Sequence, residues 1–422
     1  MTITAPAALS NSRQSERDSP PATKFRIVSA DAHVLEPPHI WQRWLPADLQ
    51  ARAPQLTKDA DGGDGWLFAG AADPDPIGLT ATPGMSWDQF RWTGVTYDEA
   101  RPGCYDGAAR VADMDADGVD AEVLFPPQRT VGHFLGDDDD DFVRAGISAY
   151  NEFLWEEFTV PDRSRLVGAA QMPSTGTEDA VAFLHRAVDR GSKAVVLSNW
   201  PSGEEQLGEA DEAFWAAAAE AGEPVCIHIN VISRAARQRS RKAAAKAGGR
   251  ALYGTDGQRN AGARAASSLS GVFSMVPSVI GQLIFTGVFE RHPGLHIAMI
   301  ETGVGWLPHF LEQMDDRFWR NRSWTDLPIS EPPSTYWFSN MSATFVRDDN
   351  GIRNRHEVGV ANMMWSTDYP HHGNDWPYSR KVIAETTAAL PADERDLIVA
   401  GNAVRIFRLD GSTDRKKGPH ER

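Results

Sequence analysis

The chain of 422 residues has only two cysteines, Cys104 and Cys226, far apart and outside any CxxC pair. That excludes a disulfide framework and a cysteine zinc site, and it fits a reducing compartment. Long apolar runs are missing too. Nothing approaches the roughly 18 consecutive apolar residues of a membrane-spanning helix. Positive charge is short: 42 Lys and Arg face 58 Asp and Glu, a net charge of -16. Nucleic acid is therefore a poor partner, because phosphate binding needs a basic face. No glycine-rich phosphate loop follows the first strand, so a doubly wound nucleotide-binding sheet lacks support. No internal repeat is present, and residues 1–24 lack the apolar core of a secretory signal. A cytoplasmic location is the default expectation.

What remains reads as an ordinary globular composition, 41% hydrophobic and 24% charged. Short apolar runs alternate with amphipathic helical stretches. "IVSADAH" opens the series, followed by "AEVLF" (121–125), "RLVGAAQ" (165–171), "KAVVLS" (193–198) and "PVCIHI" (224–229). "LHIAMI" (295–300), "FSNMSATF" (338–345) and "NMMWS" (362–366) complete it. Eight strands with helices between most of them predict an α/β fold of the (β/α)8 TIM-barrel type. Such barrels use about 250 residues. The surplus is assigned to a disordered tail (1–24), a polar C-terminal tail (409–422) and two insertions after strands 1 and 5 (38–106 and 231–270). The catalytic domain then spans 25–408.

In a barrel, polar residues at the C-terminal ends of strands line the mouth. Strand 1 ends in Asp31 and His33, strand 5 in His228, strand 6 in Glu301 and strand 8 in Asp368. Strand 2 adds Gln128 and Arg129, and strand 4 adds Ser198 and Asn199. Two imidazoles and two or three carboxylates at one mouth suit a divalent cation such as Zn²⁺ or Mn²⁺. Singly, each has a bland reading, a hydrogen-bonded structural histidine or an aspartate capping the next helix. Together they are harder to attribute to caps.

"DAHVLEP", "CIHIN", "LIFTGVFERHPGLHIAMIETGVGWLP", "STDYPHH" and "NAVRIF" resemble successive landmarks of the amidohydrolase-2 branch of the amidohydrolase superfamily. This branch is typified by aminocarboxymuconate-semialdehyde decarboxylase. The resemblance runs from about residue 25 to 408. It implies one divalent metal, zinc first and manganese second, held by Asp31, His33, His228 and Asp368. Two-metal relatives usually need a carbamylated lysine at the end of strand 4. Lys193 begins that strand instead, so a single metal is expected. Many members carry a histidine after strand 6. Here Glu301 stands in "IETGVGW", open to a place in the metal shell, acid–base work, orientation of His228 or a structural role.

Several lesser signals have competing readings. Glu36 could orient a ligand or anchor a loop. His371 and His372 follow Asp368 closely enough to enter the mouth, and His371 is the candidate for substrate contact. Trp306 could wall the cavity or pack its helix onto the barrel. The stretch 234–250 carries seven Arg or Lys and no acid. It could attract an anionic substrate or be a solvated helix face. "GDDDDD" (136–141) is read as helix N-terminal charge with no catalytic role. Trp41, Trp44, Trp66, Trp87 and Trp92 suggest an apolar lid or a homodimer interface.

The first functional expectation is metal-dependent hydrolysis, by a metal-activated water, of an amide, ester or thioester of a small or medium organic acid, an anionic small-molecule substrate. Asp368 moves the proton, Glu301 and His228 complete the catalytic set, and Arg129, His371 and Trp306 hold substrate. The alternative is non-oxidative decarboxylation of an aromatic or unsaturated carboxylic acid, with Asp368 protonating the carbon that loses CO₂. A catalytically idle binding barrel is third.

Overall fold

The structure is a computed structural model, and it describes residues 25–246 and 272–410. The predicted tail 1–24, most of the tail 409–422, and residues 247–270, the greater part of the predicted insertion 231–270, lie outside the described residues. The parallel strands are β1 (Val28–His33), β5 (Ala121–Phe125), β6 (Leu166–Gly168), β7 (Ala170–Gln171), β8 (Val195–Leu197), β9 (Val225–His228), β10 (Ile297–Ile300), β11 (Met341–Phe345) and β12 (Met363–Trp365). They pair as β1-β5-β6 and as β7-β8-β9-β10-β11-β12, all parallel. Strands β2 (Gln55–Lys58), β3 (Asp64–Leu67) and β4 (Asp75–Pro76) form a separate antiparallel sheet.

Each of the eight anticipated strands is present, with two differences. "RLVGAAQ" is two strands, because the chain changes partners at Ala169. The Ala169 N–H donates to Leu124 O at 3.0 Å, whereas the Ala170 N–H donates to Ala194 O at 3.0 Å. "FSNMSATF" begins as helix: Pro333–Asn340 is helical with proline in its first turn, and extended pairing starts only at Met341. At the other edge, the Asp368 N–H donates to Asp31 O at 3.0 Å, and the His33 N–H to Tyr369 O at 2.6 Å. The ends of β12 and β1 are thereby tied together.

Alternation along the strands builds two apolar layers. Val28, Ala30, Val123, Val167, Val196, Cys226, Ala298 and Met364 form one cluster on the inner face, closed off by Ala403 and Val404 from the C-terminal helix Asn402–Ile406 and by Phe407 just beyond it. The opposite faces, including Val195, Leu197, Val225, Ile227 and Ile297, pack against the surrounding helices. Cys104 and Cys226 are both buried and unpaired. Among the described residues no helix is long and apolar enough to cross a membrane.

One buried ion pair anchors the end of β1. The helix Gly107–Asp117 is capped by the Asp106 side chain, which accepts from the Ala109 N–H. It carries Arg110 into the interior, where the guanidinium pairs with Glu122 of β5 at 2.8 Å and donates to His33 O at 2.6 Å and Gly103 O at 2.6 Å. Its charge also lies 4.3 Å above the Tyr369 ring. Removing one partner of such a pair strands the other charge away from water. Arg110→Met is expected to lose about 3–5 kcal/mol in urea unfolding, with much of it regained in Arg110→Met/Glu122→Leu. A loss below about 1 kcal/mol would show that the pair is not an anchor.

Candidate metal centre

Strict alternation from Val28 and Ala30 sends Ala32 inward and turns Asp31 and His33 out to the helices. The register of β1 against β5 breaks between Ser29 and Ala32. That irregularity shifts the parity by one residue. Asp31 and His33 then share the inner face with Val28 and Ala30, while Ala32 joins the outer layer. His228 follows Cys226 by two positions and needs no such device. Glu301 and Asp368, immediately beyond β10 and three residues beyond β12, take φ values of 56° each, and Ile229 after β9 takes 62°. Left-handed backbone at three non-glycine residues costs about 1–3 kcal/mol apiece and characteristically gathers at functional sites.

These elements bring the predicted side chains together. His33 Nε2 and His228 Nε2 stand 3.0 Å apart. Asp31 Oδ1 lies 3.7 Å from the first and 3.8 Å from the second. Asp368 Oδ1 is 3.5 Å from His33 Nε2, and Glu301 Oε2 is 3.5 Å from His228 Nε2. Asp31, His33, His228 and Glu301 form one group whose ligand atoms all lie within 4.8 Å of one another, and His33, Asp368 and His371 form an overlapping one. Of the four expected ligands, three fall in the first group, and Glu301 stands there beside them.

The donor set fits a divalent cation. Asp31 is fully buried, yet neither of its oxygens has a hydrogen-bond partner, and Asp368 Oδ1 has none. His33 Nδ1 faces Pro126 O at 3.3 Å. A proton on Nδ1 serves that carbonyl and leaves the Nε2 lone pair facing His228. Burial holds both histidines below the usual 6.5, His228 down to about 4. Burial also lifts Asp31 well above the carboxylate range, helped by Asp368 and Glu301, and lifts Glu301 to about 8, helped by Asp368. Neutral imidazoles and oxygens without partners are the chemistry of a cation site.

His371 stacks on His33 with ring centroids 4.4 Å apart, and its Nδ1 lies 3.4 Å from Asp368 Oδ2. Burial acts to lower its pKa and is the largest single influence, but the charge and hydrogen bonding of Asp368 and the charge of Glu301 together outweigh it, and the net direction is up. His371 also lines a cleft of about 490 Å³, open mouth included, with Leu35, Trp66, Ile77, Gln128 and Arg129. Arg129 is engaged by Asp75 of β4 at 2.5 Å, and His133 Nε2 meets the other Asp75 oxygen at 2.8 Å. Trp306 is not among the cleft's lining residues. Its indole N–H turns back to Thr302 O at 3.0 Å, and its ring packs on Phe310. His372 stacks on Phe90 with ring centroids 4.3 Å apart.

Other sequence signals resolve into structural roles. Asp139 caps the helix Asp140–Phe153, accepting from the Asp141 and Phe142 N–H groups. In the basic stretch, Arg234 pairs with Asp140 and Arg239 with Glu205. Arg237 turns in and donates to Ser198 O at 2.9 Å, and Arg234 Nε donates to Asp137 O at 2.7 Å. Nothing in the sequence singled out Asp75 or Arg110. Their roles depend on partners 54 and 12 residues away.

The chain belongs to the amidohydrolase-2 family: the family model, described as amidohydrolase, matches residues 30–409. A gamma-resorcylate decarboxylase from Rhodococcus jostii (strain RHA1) is 29% identical over 143 residues, 31% of this chain. That match spans only 39% of the relative's length. Among solved structures, an amidohydrolase from Mycobacterium avium subsp. paratuberculosis K-10 superposes with a TM-score of 0.67 at 19% identity, covering 92% of this chain and 98% of its own. A 5-carboxyvanillate decarboxylase from Novosphingobium aromaticivorans DSM 12444, complexed with manganese and 4-hydroxy-3-methoxy-5-nitrobenzoic acid, gives 0.61 at 18% identity, with 91% and 96% covered. At such identities the likeness shows the fold.

The shifts predict how metal-free protein responds to pH. Glu301 and Asp31 have raised folded pKa values, so the stability they contribute is present below their unfolded values and lost as pH rises through the folded ones. His33 and His228 act oppositely, but only below their unfolded 6.5. Between pH 6.5 and about 8 the carboxyl groups decide, and the unfolding temperature of chelated protein should fall across that window. Manganese should abolish the decline and release protons on binding, measured by calorimetry in buffers of different ionisation enthalpy. An unchanged slope with and without the ion would contradict the assignment.

Proposed function

We propose that the protein is a metal-dependent decarboxylase of a small aromatic carboxylic acid. The carrying observation is the cleft that opens onto His371, beside Asp368, with walls of Leu35, Trp66, Ile77 and Leu79 suited to a flat ring. The relatives support this order over the hydrolysis that the sequence put first, since both decarboxylases act, by name, on aromatic acids. The same reading takes the two parallel sheets as one closed (β/α)8 barrel, consistent with the bonds between the ends of β1 and β12. The strand-1 and strand-5 surpluses become elaborations over its mouth. Manganese is the first metal to test, because the solved decarboxylase holds it.

Asp31, His33 and His228 would hold the ion, with Glu301 or Asp368 completing the shell. When bound, it supplies positive charge that orients and neutralises an anionic substrate. The chain's own residues handle the proton. Asp368 and His371 form a hydrogen-bonding pair in which one proton is available near neutral pH. Asp368 delivers that proton to the ring carbon bearing the carboxylate, and His371 replenishes it. The carbon–carbon bond then breaks, its electron pair returns to the ring, and CO₂ departs. The apolar walls keep water from the protonated carbon.

Glu301 supports a second reading. Its carboxyl, pushed up to about 8, could act as a proton carrier in hydrolysis, in a position where many family members have histidine. A panel of hydroxybenzoates with manganese-loaded enzyme separates the two: CO₂ release marks decarboxylation, and acid release from esters or amides without CO₂ marks hydrolysis. Asp368→Asn is expected to lower kcat for CO₂ release by about 10²–10⁴-fold, with the circular dichroism spectrum retained. Near-native turnover in that variant would remove Asp368 as proton donor. His228→Ala should lose both bound metal and turnover.

A further inference from the structure

Glu36 stands three residues beyond His33, outside the metal group, and lines the same cleft as His371. Its backbone is fixed on both sides. The Tyr97 hydroxyl donates to Glu36 O at 2.5 Å, and the Leu35 N–H donates to Cys104 O at 2.8 Å. The residue is 2% exposed, and its Oε1 has no hydrogen-bond partner, while the Thr130 hydroxyl serves the carboxyl group. A buried carboxyl oxygen without a partner is costly and uncommon.

The surroundings define what it could take. Leu35, Trp66, Ile77 and Leu79 give the cleft an apolar wall that suits a ring, and Glu36 is one of its polar lining residues, with Asp75, Gln128, Arg129, Thr130 and His371. Burial pushes its carboxyl up to about 7, so both protonation states are accessible near neutrality. A hydroxyl both donates and accepts, and so pairs with either state. An ammonium pairs only with the ionised form, and an apolar substituent pairs with neither.

We infer that Glu36 is a specificity residue that holds a hydroxyl on the substrate ring, away from the carboxylate that faces the metal group. The inference rests on the aryl-acid reading and deepens it, because it assigns the substrate a second polar group. No established ligand residue is involved, since Glu36 lies outside the expected shell of Asp31, His33, His228 and Asp368.

The test is calorimetric binding to the manganese-loaded full-length protein of 2-hydroxybenzoate, 2,4-dihydroxybenzoate and 2,5-dihydroxybenzoate. In the unaltered protein one dihydroxy acid should bind about tenfold more tightly than 2-hydroxybenzoate, the worth of one good buried hydrogen bond. Glu36→Leu should bring that ratio to within about twofold of unity. Glu36→Gln, which keeps shape and hydrogen-bonding capacity, should retain an intermediate ratio and guards against misfolding of the leucine variant. A ratio that survives in both variants, or is absent from the unaltered protein, overturns the role of Glu36 while the aryl-acid reading stands. If none of the three acids binds, the aryl-acid reading itself fails, and this inference falls with it.

Discussion

Asp31, His33, His228, Glu301 and Asp368 are crowded within a few ångströms and largely out of water, so they cannot all keep their ordinary charges. Asp31 and Glu301 shift towards the protonated form and the two histidines towards the neutral form. Each shift is the response of a buried group denied a counter-charge. A cation answers all of them at once: it gives the carboxylates a partner and the imidazole lone pairs an acceptor. The local architecture follows from keeping this crowd in place. A register shift in β1 turns two ligands inward, three left-handed residues sit just beyond strands, and Arg110 ties down the carbonyl of His33.

The long segment between β1 and the helix Gly107–Asp117 shapes the space beside this centre. Trp41 packs against Phe134 with ring centroids 4.9 Å apart, and Phe68 stacks on His133 at 3.7 Å. Asp75 reaches from β4 to both Arg129 and His133. An aromatic clamp and an ion pair thus join the antiparallel sheet to the helix Gln128–Leu135, and the cleft lies between them. Trp41 and Trp66 are buried within the chain.

Much of the site was legible because its residues end apolar strands. Asp31, His33, His228, Glu301 and Asp368 each follow a hydrophobic run, and a run's end is visible without coordinates. Period-2 reasoning paired Asp31 with His33 correctly but could not foresee that a register shift was needed to turn both inward. Arg129 was expected to hold substrate, and the sequence did not show that Asp75, 54 residues earlier, engages it. Trp306 was open to walling the cavity or packing its helix, and its indole N–H finds Thr302 O four residues back. The partner of Arg129 came from tertiary packing, which apolar periodicity does not encode, whereas that of Trp306 is a carbonyl of the local turn. The helix Pro333–Asn340 in place of the first part of a strand has a simpler origin, since proline favours a helix's first turn and cannot donate to a ladder.

The position of Glu301 bears on how the family fold is used here. Its backbone N–H donates to Thr344 Oγ1 at 2.7 Å, and the left-handed conformation directs its carboxyl towards His228. A histidine there would add another group able to carry positive charge beside His33, His228 and His371, whose mutual repulsion already lowers the pKa of His33. A glutamate instead adds a carboxyl group that is negative once ionised, a form a cation would favour and one whose charge helps raise the pKa of His371. The substitution therefore acts on both halves of the proposed chemistry. It strengthens the case for metal at the Asp31–His228 side and for a proton held at the Asp368–His371 side. A single acidic side chain between them couples the charge of one to the protonation of the other.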